Sequence, residues 1–310
     1  MPIPFAWRRS GAVLFAALAL GCSHPTDQAS EPSGATRILF IGNSFTFGSP
    51  SGAAPLVQSF RPATVTDLNG SGIGGVPALF KAMTVQAGLD YDVSLETIGG
   101  AGLDAHYHQK LSTISRPFDV VLLQSYSTLD AARPGDPGLL IKYTGLLAQE
   151  LRKQNPKVDI RLVSTWSRAD LTYKAGSAWS GAQIDKMALD LRRGYDAAAA
   201  ANGLGRDSVI PVGEAWNLAI AAGTADANPY DGIDAGRINL WAPDFYHGSA
   251  HGYYLEALTI FGNVTGRDPR SLGAAEPVAR EIGIDAATAG ALQRLAAQQQ
   301  LSARPDQTQR

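Results

Sequence analysis

Ser44 is the side chain in this sequence best placed to become a nucleophile. It follows the apolar run 38–41 and the turn Gly42-Asn43 in ILFIGNSFT, so it stands at what reads as the carboxyl end of a buried strand. In open α/β sheets that is where ligands bind. A serine hydroxyl is a weak nucleophile until a base lies within hydrogen-bond reach and a third group holds that base in the right tautomer. Of the five histidines (His24, His106, His108, His247 and His251), His247 has the most suggestive neighbour, Asp244, three residues before it in APDFYHGSAHGYYLEA. Residues so spaced on a helical turn face one side. Asp244 can therefore orient the imidazole while His247 takes the proton of Ser44. Acyl transfer also needs donors for the developing oxyanion. Three candidates fall at strand ends: the amide of Ser44, a backbone amide of Gly99, Gly100 or Gly102 in ETIGGAGLDAH, and the side-chain amide of Gln124 in VVLLQSYS.

The same residues have structural readings. Ser44 and Asp244 are both good helix caps, the glycines make a tight turn, and a glutamine at a strand end can simply hold adjacent loops. Asp104, His106 and His108 form a D-x-H-x-H run with the ligand types of a divalent-metal site, but residues two apart on a helix diverge. A rim or substrate-contact role for His106 is the better expectation, and no metal site is expected. His247 and His251 lack the glutamate of an HExxH zinc motif. The run 69–75, NGSGIGG, precedes a helix without the Gly-Lys-Ser/Thr ending of a phosphate loop or a strand directly before it. It reads as a mobile loop at a site entrance. Of the aromatic residues, Trp241 and Tyr246 flank Asp244 and are weak substrate-contact candidates. Glu214, after the last strand, has no assigned role.

The elements that must position these groups are legible in the pattern of apolar runs. Strands are expected over 38–41, 92–98, 119–124, 159–165 and 208–212, with helices over about 76–87, 105–115, 138–154, 181–201 and 249–264. Strands alternating with helices imply βαβ units and a mostly parallel sheet, an α/β fold. The stretch 223–243 lacks periodicity and reads either as the rim of a site or as a packed irregular connection. Residues 273–310 read as a helical extension with a fraying tail.

The chain has 310 residues, 45% hydrophobic and 17% charged, with a net charge of -2. That composition supports a large core, and with no basic stripe nucleic acid is not an expected partner. Arg8 and Arg9 precede a short apolar stretch ending in Ala19-Leu20-Gly21-Cys22. This reads as a lipoprotein signal over 1–21, a lipid anchor at Cys22 and a Ser/Pro-rich tether over 22–36. A plain secretory signal with an incidental cysteine is the rival. Cys22 is the one cysteine, so no intrachain disulfide can form. Without residues 1–21 the balance is 24 basic against 28 acidic side chains.

GNSF at 42–45, IGGAG at 98–102, VLLQS at 121–125 and DFYH at 244–247 together resemble, in order and spacing, the conserved blocks of the SGNH (GDSL-type) hydrolases. The resemblance covers about residues 37–267, so the catalytic domain is expected over 37–272. It implies a flavodoxin-like three-layer α/β/α sandwich and ester hydrolysis with no metal or cofactor. Ser44 would be the nucleophile, Gly100 the second oxyanion donor, and Asp244 with His247 the remaining pair. Asn43 stands where the family usually has Asp, and Gln124 or a neighbour where it has Asn. The resulting expectation is a cell-envelope serine esterase acting on an acylated small molecule or glycan, bound to the membrane through Cys22. The alternatives are a non-catalytic glycan-binding lipoprotein on the same fold, and a metal-dependent hydrolase using His106, His108 and His247 or His251.

Overall fold

The run after Arg37 is apolar at every position, and such a strand is stable only when both of its faces are covered. In the computed structural model, which describes residues 34–48 and 55–303, it forms strand β1 (Thr36–Gly42), buried at every position from Ile38 to Gly42. β1 lies between β3 (Tyr91–Thr97) and β4 (Val120–Leu123), parallel to both. With β2 (Thr66–Asp67), β5 (Asp159–Ser164) and β6 (Val209–Pro211) the sheet has the order β2-β3-β1-β4-β5-β6, parallel throughout. The side-chain alternation of a strand sends successive residues to opposite faces. Ile38 and Phe40 enter one core with residues of α3 (Gly75–Gln86), α8 (Val212–Ala221) and α9 (Ala250–Thr265). Leu39 and Ile41 enter the other with residues of α4 (Leu103–Ile114), α5 (Gly138–Gln154) and α7 (Asp185–Ala201). The result is a three-layer α/β/α sandwich.

Short helices complete the order: α1 (Ser44–Phe47), α2 (Pro55–Gln58), α6 (Ala169–Tyr173) and α10 (Pro277–Glu281). The last helix, α11 (Ala286–Ala303), adds Leu292, Leu295 and Ala296 to the core shared with α9. The chain divides after Gly34, and Ala35 begins the compact unit that holds all of these elements. The expected signal segment over 1–21, the expected anchor at Cys22 and the expected tether up to residue 33 lie outside the described residues. Among the described residues no helix is long and apolar enough to cross a membrane.

Two elements depart from the sequence pattern. β2 is two residues long and carries no apolar run, yet it directly precedes the glycine-rich loop 69–75. That loop closes on the Asp67 carboxylate, which accepts the backbone N–H groups of Asn69 (2.9 Å), Ser71 (2.9 Å) and Ile73 (3.2 Å). The amides that a phosphate would need are therefore already occupied by a carboxylate. Similarly, α8 starts at the residue after β6, where VIPVGEAW reads as one apolar run. The stretch 223–243 is an irregular connection pinned at its base, where Ala225 bridges Ile238 and buried Asp226 accepts the N–H groups of Asn228 (2.9 Å) and Asp234 (2.8 Å), while residues 230–237 are exposed.

Candidate active site

The turn from β1 to α1 is held by side chains rather than by sheet hydrogen bonds. Asn43 caps α1 with its Oδ1, accepting the N–H of Phe45 at 3.1 Å. Its Nδ2 donates to the carbonyls of Ala101 (2.8 Å) and Ser125 (3.1 Å), and so ties together the three loops that follow β1, β3 and β4. A carboxylate has no hydrogen to donate to two carbonyls at neutral pH, which accounts for Asn here. Gly42 leaves the space the turn needs, because a Cβ would collide with Thr46 Oγ1 and Gln124. Ser44 is the first residue of α1, 7% exposed, and the Tyr253 hydroxyl donates to its carbonyl at 3.2 Å.

The turn before α9 brings Asp244 and His247 to the same place. Asp244 Oδ1 accepts the N–H groups of Tyr246 (3.0 Å) and His247 (2.9 Å), while its Oδ2 lies 2.7 Å from His247 Nδ1. His247 Nε2 lies 2.9 Å from Ser44 Oγ, across 203 residues of sequence. Burial raises the Asp244 carboxyl, but the hydrogen bonds from the His247 ring and from the His247 and Tyr246 amides outweigh it and hold the group below the usual carboxylate range. An ionised Asp244 can only accept, so Nδ1 carries the hydrogen and Nε2 is free to accept from Ser44. The imidazole is packed between rings: Tyr246 at 4.0 Å and Phe45 at 5.6 Å between centroids. The wrap around Asp244 requires a left-handed residue, and Phe245 takes φ +59.

Gly100 sits in the β3–α4 turn with φ +72, a conformation that favours glycine. Among the described residues the backbone N–H groups of Ser44 and Gly100 make no backbone hydrogen bond. Gln124 behaves otherwise. Its Oε1 accepts the Asn43 N–H (2.9 Å) and the Thr46 hydroxyl (3.2 Å), and its Nε2 donates to the Ser125 carbonyl. The side-chain amide expected at an oxyanion thus braces the β1–α1 turn through its oxygen and the loop after β4 through its nitrogen.

Two other expected contacts also fall away. Trp241 is 1% exposed, donates its indole N–H to the Ser167 carbonyl at 2.9 Å and packs on Trp216. A large ring beside a catalytic loop gains more by burial than by exposure. His106 is fully buried with its Nδ1 on Glu96, rather than on a rim. Glu96 in turn accepts from Asn69 (3.1 Å), whose Oδ1 accepts from Lys110 (2.8 Å). His108 Nε2 pairs with the Tyr143 hydroxyl at 3.0 Å, and His251 lies on α9, its imidazole pushed down by burial despite Asp285. Neither joins His106 or His247, and among the described residues no group of three metal-ligating side chains assembles. Glu214 is in the first turn of α8, bonded to Arg192 at 2.6 Å, with its carboxyl raised by burial.

Tyr246 does border a cavity. About 520 Å³ in volume, it is lined by Asn43, Gly100, Tyr126, Ser127, Arg168 and Trp179 among others. Arg168 is the functional candidate that sequence reading missed. Its guanidinium lies 3.6 Å from the centre of the Tyr246 ring, on the way to His247. Its local sequence shows only the Asp170 partner, because Ser127 and Tyr246 come from two other loops. A larger cavity of about 1180 Å³, lined by Arg161, Arg192, Glu214 and Asn263, contains none of the expected catalytic residues.

No family model and no curated protein matches the chain. Solved structures do. A DUF4886 family protein from Bacteroides uniformis is 18% identical and superposes with a TM-score of 0.56 over 86% of this chain and 94% of its own. An acetyl xylan esterase is 17% identical, with a TM-score of 0.50 over 74% of this chain and 99% of its own. At such identities the likeness bears on the fold, and the fold is the three-layer sandwich that the SGNH resemblance implies.

Proposed function

We propose that this chain is a serine ester hydrolase. The observation that carries the reading is the continuous hydrogen-bonded line from Asp244 through His247 to Ser44, at 2.7 and 2.9 Å. Ser44 Oγ attacks the ester carbonyl while His247 Nε2 takes its proton. Asp244 stabilises the imidazolium, and the Ser44 and Gly100 amides hold the oxyanion. His247 returns the proton to the departing alcohol, leaving an acyl-serine. It then takes a proton from water, whose oxygen attacks the acyl carbonyl to release the acid and regenerate Ser44.

The proposed substrate is an acylated glycan or cell-envelope ester outside the cytoplasm. Two observations support it: the Arg8-Arg9 leader ending at Cys22, and a fold shared with an enzyme that acts on acetyl xylan. Lipid anchoring at Cys22 belongs to the same proposal, and globomycin-sensitive maturation of the full chain would test it. The rival reading, a non-catalytic glycan-binding protein on the same fold, has no use for the line from Asp244 to Ser44. The deciding experiment is labelling with a fluorophosphonate followed by mass spectrometry. One adduct at Ser44, absent from Ser44→Ala, is expected. A folded protein that takes no label overturns the proposal.

A further inference from the structure

The cavity beside Gly100 has the size of a small-molecule site, which typically spans about 300–1,000 Å³, and its lining is unlike that of an acyl-chain tunnel. Tyr126, Trp179 and the edge of Tyr246 line it together with Ser127, Leu171 and Ala178. Arg168 is the one charged side chain among the described residues that line it. A buried alkyl chain against a guanidinium would strip its hydration without return. An aromatic and small apolar wall beside an arginine with donors to spare suits a sugar, whose C–H face packs on apolar surface while its hydroxyls take hydrogen bonds.

Arg168 is held for such a task. Asp170 takes its Nε–H (3.0 Å) and one Nη2–H (2.6 Å), and Ser127 Oγ accepts from Nη1 at 3.3 Å. Tyr246 supports its flat face at 3.6 Å. A guanidinium has five N–H donors, so two, one on each terminal nitrogen, have no partner among the described residues. Donors on two neighbouring nitrogens suit a pair of adjacent oxygens. The carboxylate of Asp170 already balances the charge, so the site offers hydrogen bonds more than attraction for an anion. Tyr246 then joins recognition to chemistry, because it touches Arg168 on one side and the His247 ring at 4.0 Å on the other.

On the premise that the chain is a serine hydrolase, we infer that this cavity is a glycosyl subsite, with Arg168 the specificity-determining residue that binds paired hydroxyls of a neutral sugar. The test compares kcat/KM of the purified protein on mono-O-acetylated xylotriose, on an acetylated galacturonate trimer, on p-nitrophenyl acetate and on p-nitrophenyl octanoate. Arg168→Met is expected to lower kcat/KM on the xylotriose ester at least tenfold more than on p-nitrophenyl acetate, mainly through KM. Ala178→Trp, at an exposed position on the cavity wall, is expected to give the same bias without touching Arg168, and so serves if Arg168→Met does not fold. Equal losses on both esters would mean that Arg168 only positions His247 through Tyr246, and would overturn the subsite. A wild-type preference for the galacturonate ester would overturn the neutral ligand, and a preference for the octanoate would overturn the sugar. If the wild type is not labelled at Ser44 and cleaves none of the four, the hydrolase premise itself falls. Labelling of Ser44 together with unbiased losses would sink the subsite alone.

Discussion

Asp244 accepts three hydrogen bonds from one short turn, and its carboxyl is therefore held below the usual carboxylate range. A depressed carboxylate stabilises the fold above its unfolded value, and that contribution is lost only as pH falls through the lower folded value. Asp244 is thus ionised throughout neutral and mildly acidic pH. Asp244→Asn should cut kcat by about 10⁴ by favouring the wrong tautomer. It should also move the acid limb of the kcat/KM profile to lower pH, since the anion that favours the imidazolium is gone. An acid limb that stays put would detach Asp244 from His247. Ser44→Ala should lower kcat by on the order of 10⁶. Gln124→Ala leaves the Asn43 N–H and the Thr46 hydroxyl without their acceptor and should cost about 1–3 kcal/mol in denaturant unfolding. If stability instead held while kcat fell by about 10²–10³, the oxyanion role would return.

At the scale of elements, the turn and helix after Pro243 carry two local conflicts. Phe245 occupies a left-handed conformation while its ring packs 4.2 Å from Tyr230. Phe245→Ala and Phe245→Gly both lose the ring, but only glycine relieves the backbone. The glycine variant should therefore be the more stable of the two by about 1 kcal/mol, a difference that paired chemical denaturation resolves. On α9, Glu256 is 1% exposed, its Oε2 has no partner among the described residues, and burial raises its carboxyl well above the usual range. The folded chain holds a proton there that the unfolded chain releases, so stability falls as pH rises through that window. Glu256→Gln should match the wild type in Tm near pH 4 and exceed it increasingly toward pH 8. Parallel Tm curves would show that Glu256 is charged in the fold. Elements with an apolar period were legible from the sequence to within a few residues. β2 was not, because two residues carry no period and its place depends on pairing with β3.

Across the whole molecule, the sheet is closed on one side by helices drawn from the far end of the chain. Leu292 of α11 is fully buried in the core it shares with α9, and Gln300 Nε2 reaches the Gly262 carbonyl at 2.6 Å. Leu292→Ala should cost about 2–5 kcal/mol while leaving kcat within a factor of two, because it touches none of the catalytic groups. A large loss of kcat at full stability would mean that α11 shapes the site directly.

The sequence by itself determined the class of fold and the identity of the residues that meet at Ser44. Both are written locally: a parallel sheet in uninterrupted apolar runs, the nucleophile turn in GNS, and the Asp–His pair in a three-residue spacing. Tertiary structure alone decided which polar groups remain free to act. Gln124 and His106 have suitable chemistry, but the fold buries both and engages Gln124 Oε1 with Asn43 and Thr46, Gln124 Nε2 with the Ser125 carbonyl, and His106 Nδ1 with Glu96. Arg168 became visible for the converse reason. Its two unpartnered donors and its seat on Tyr246 exist only once the loops after β4 and β5 and the turn before α9 have been brought to one end of the sheet, and no local pattern encodes such a convergence.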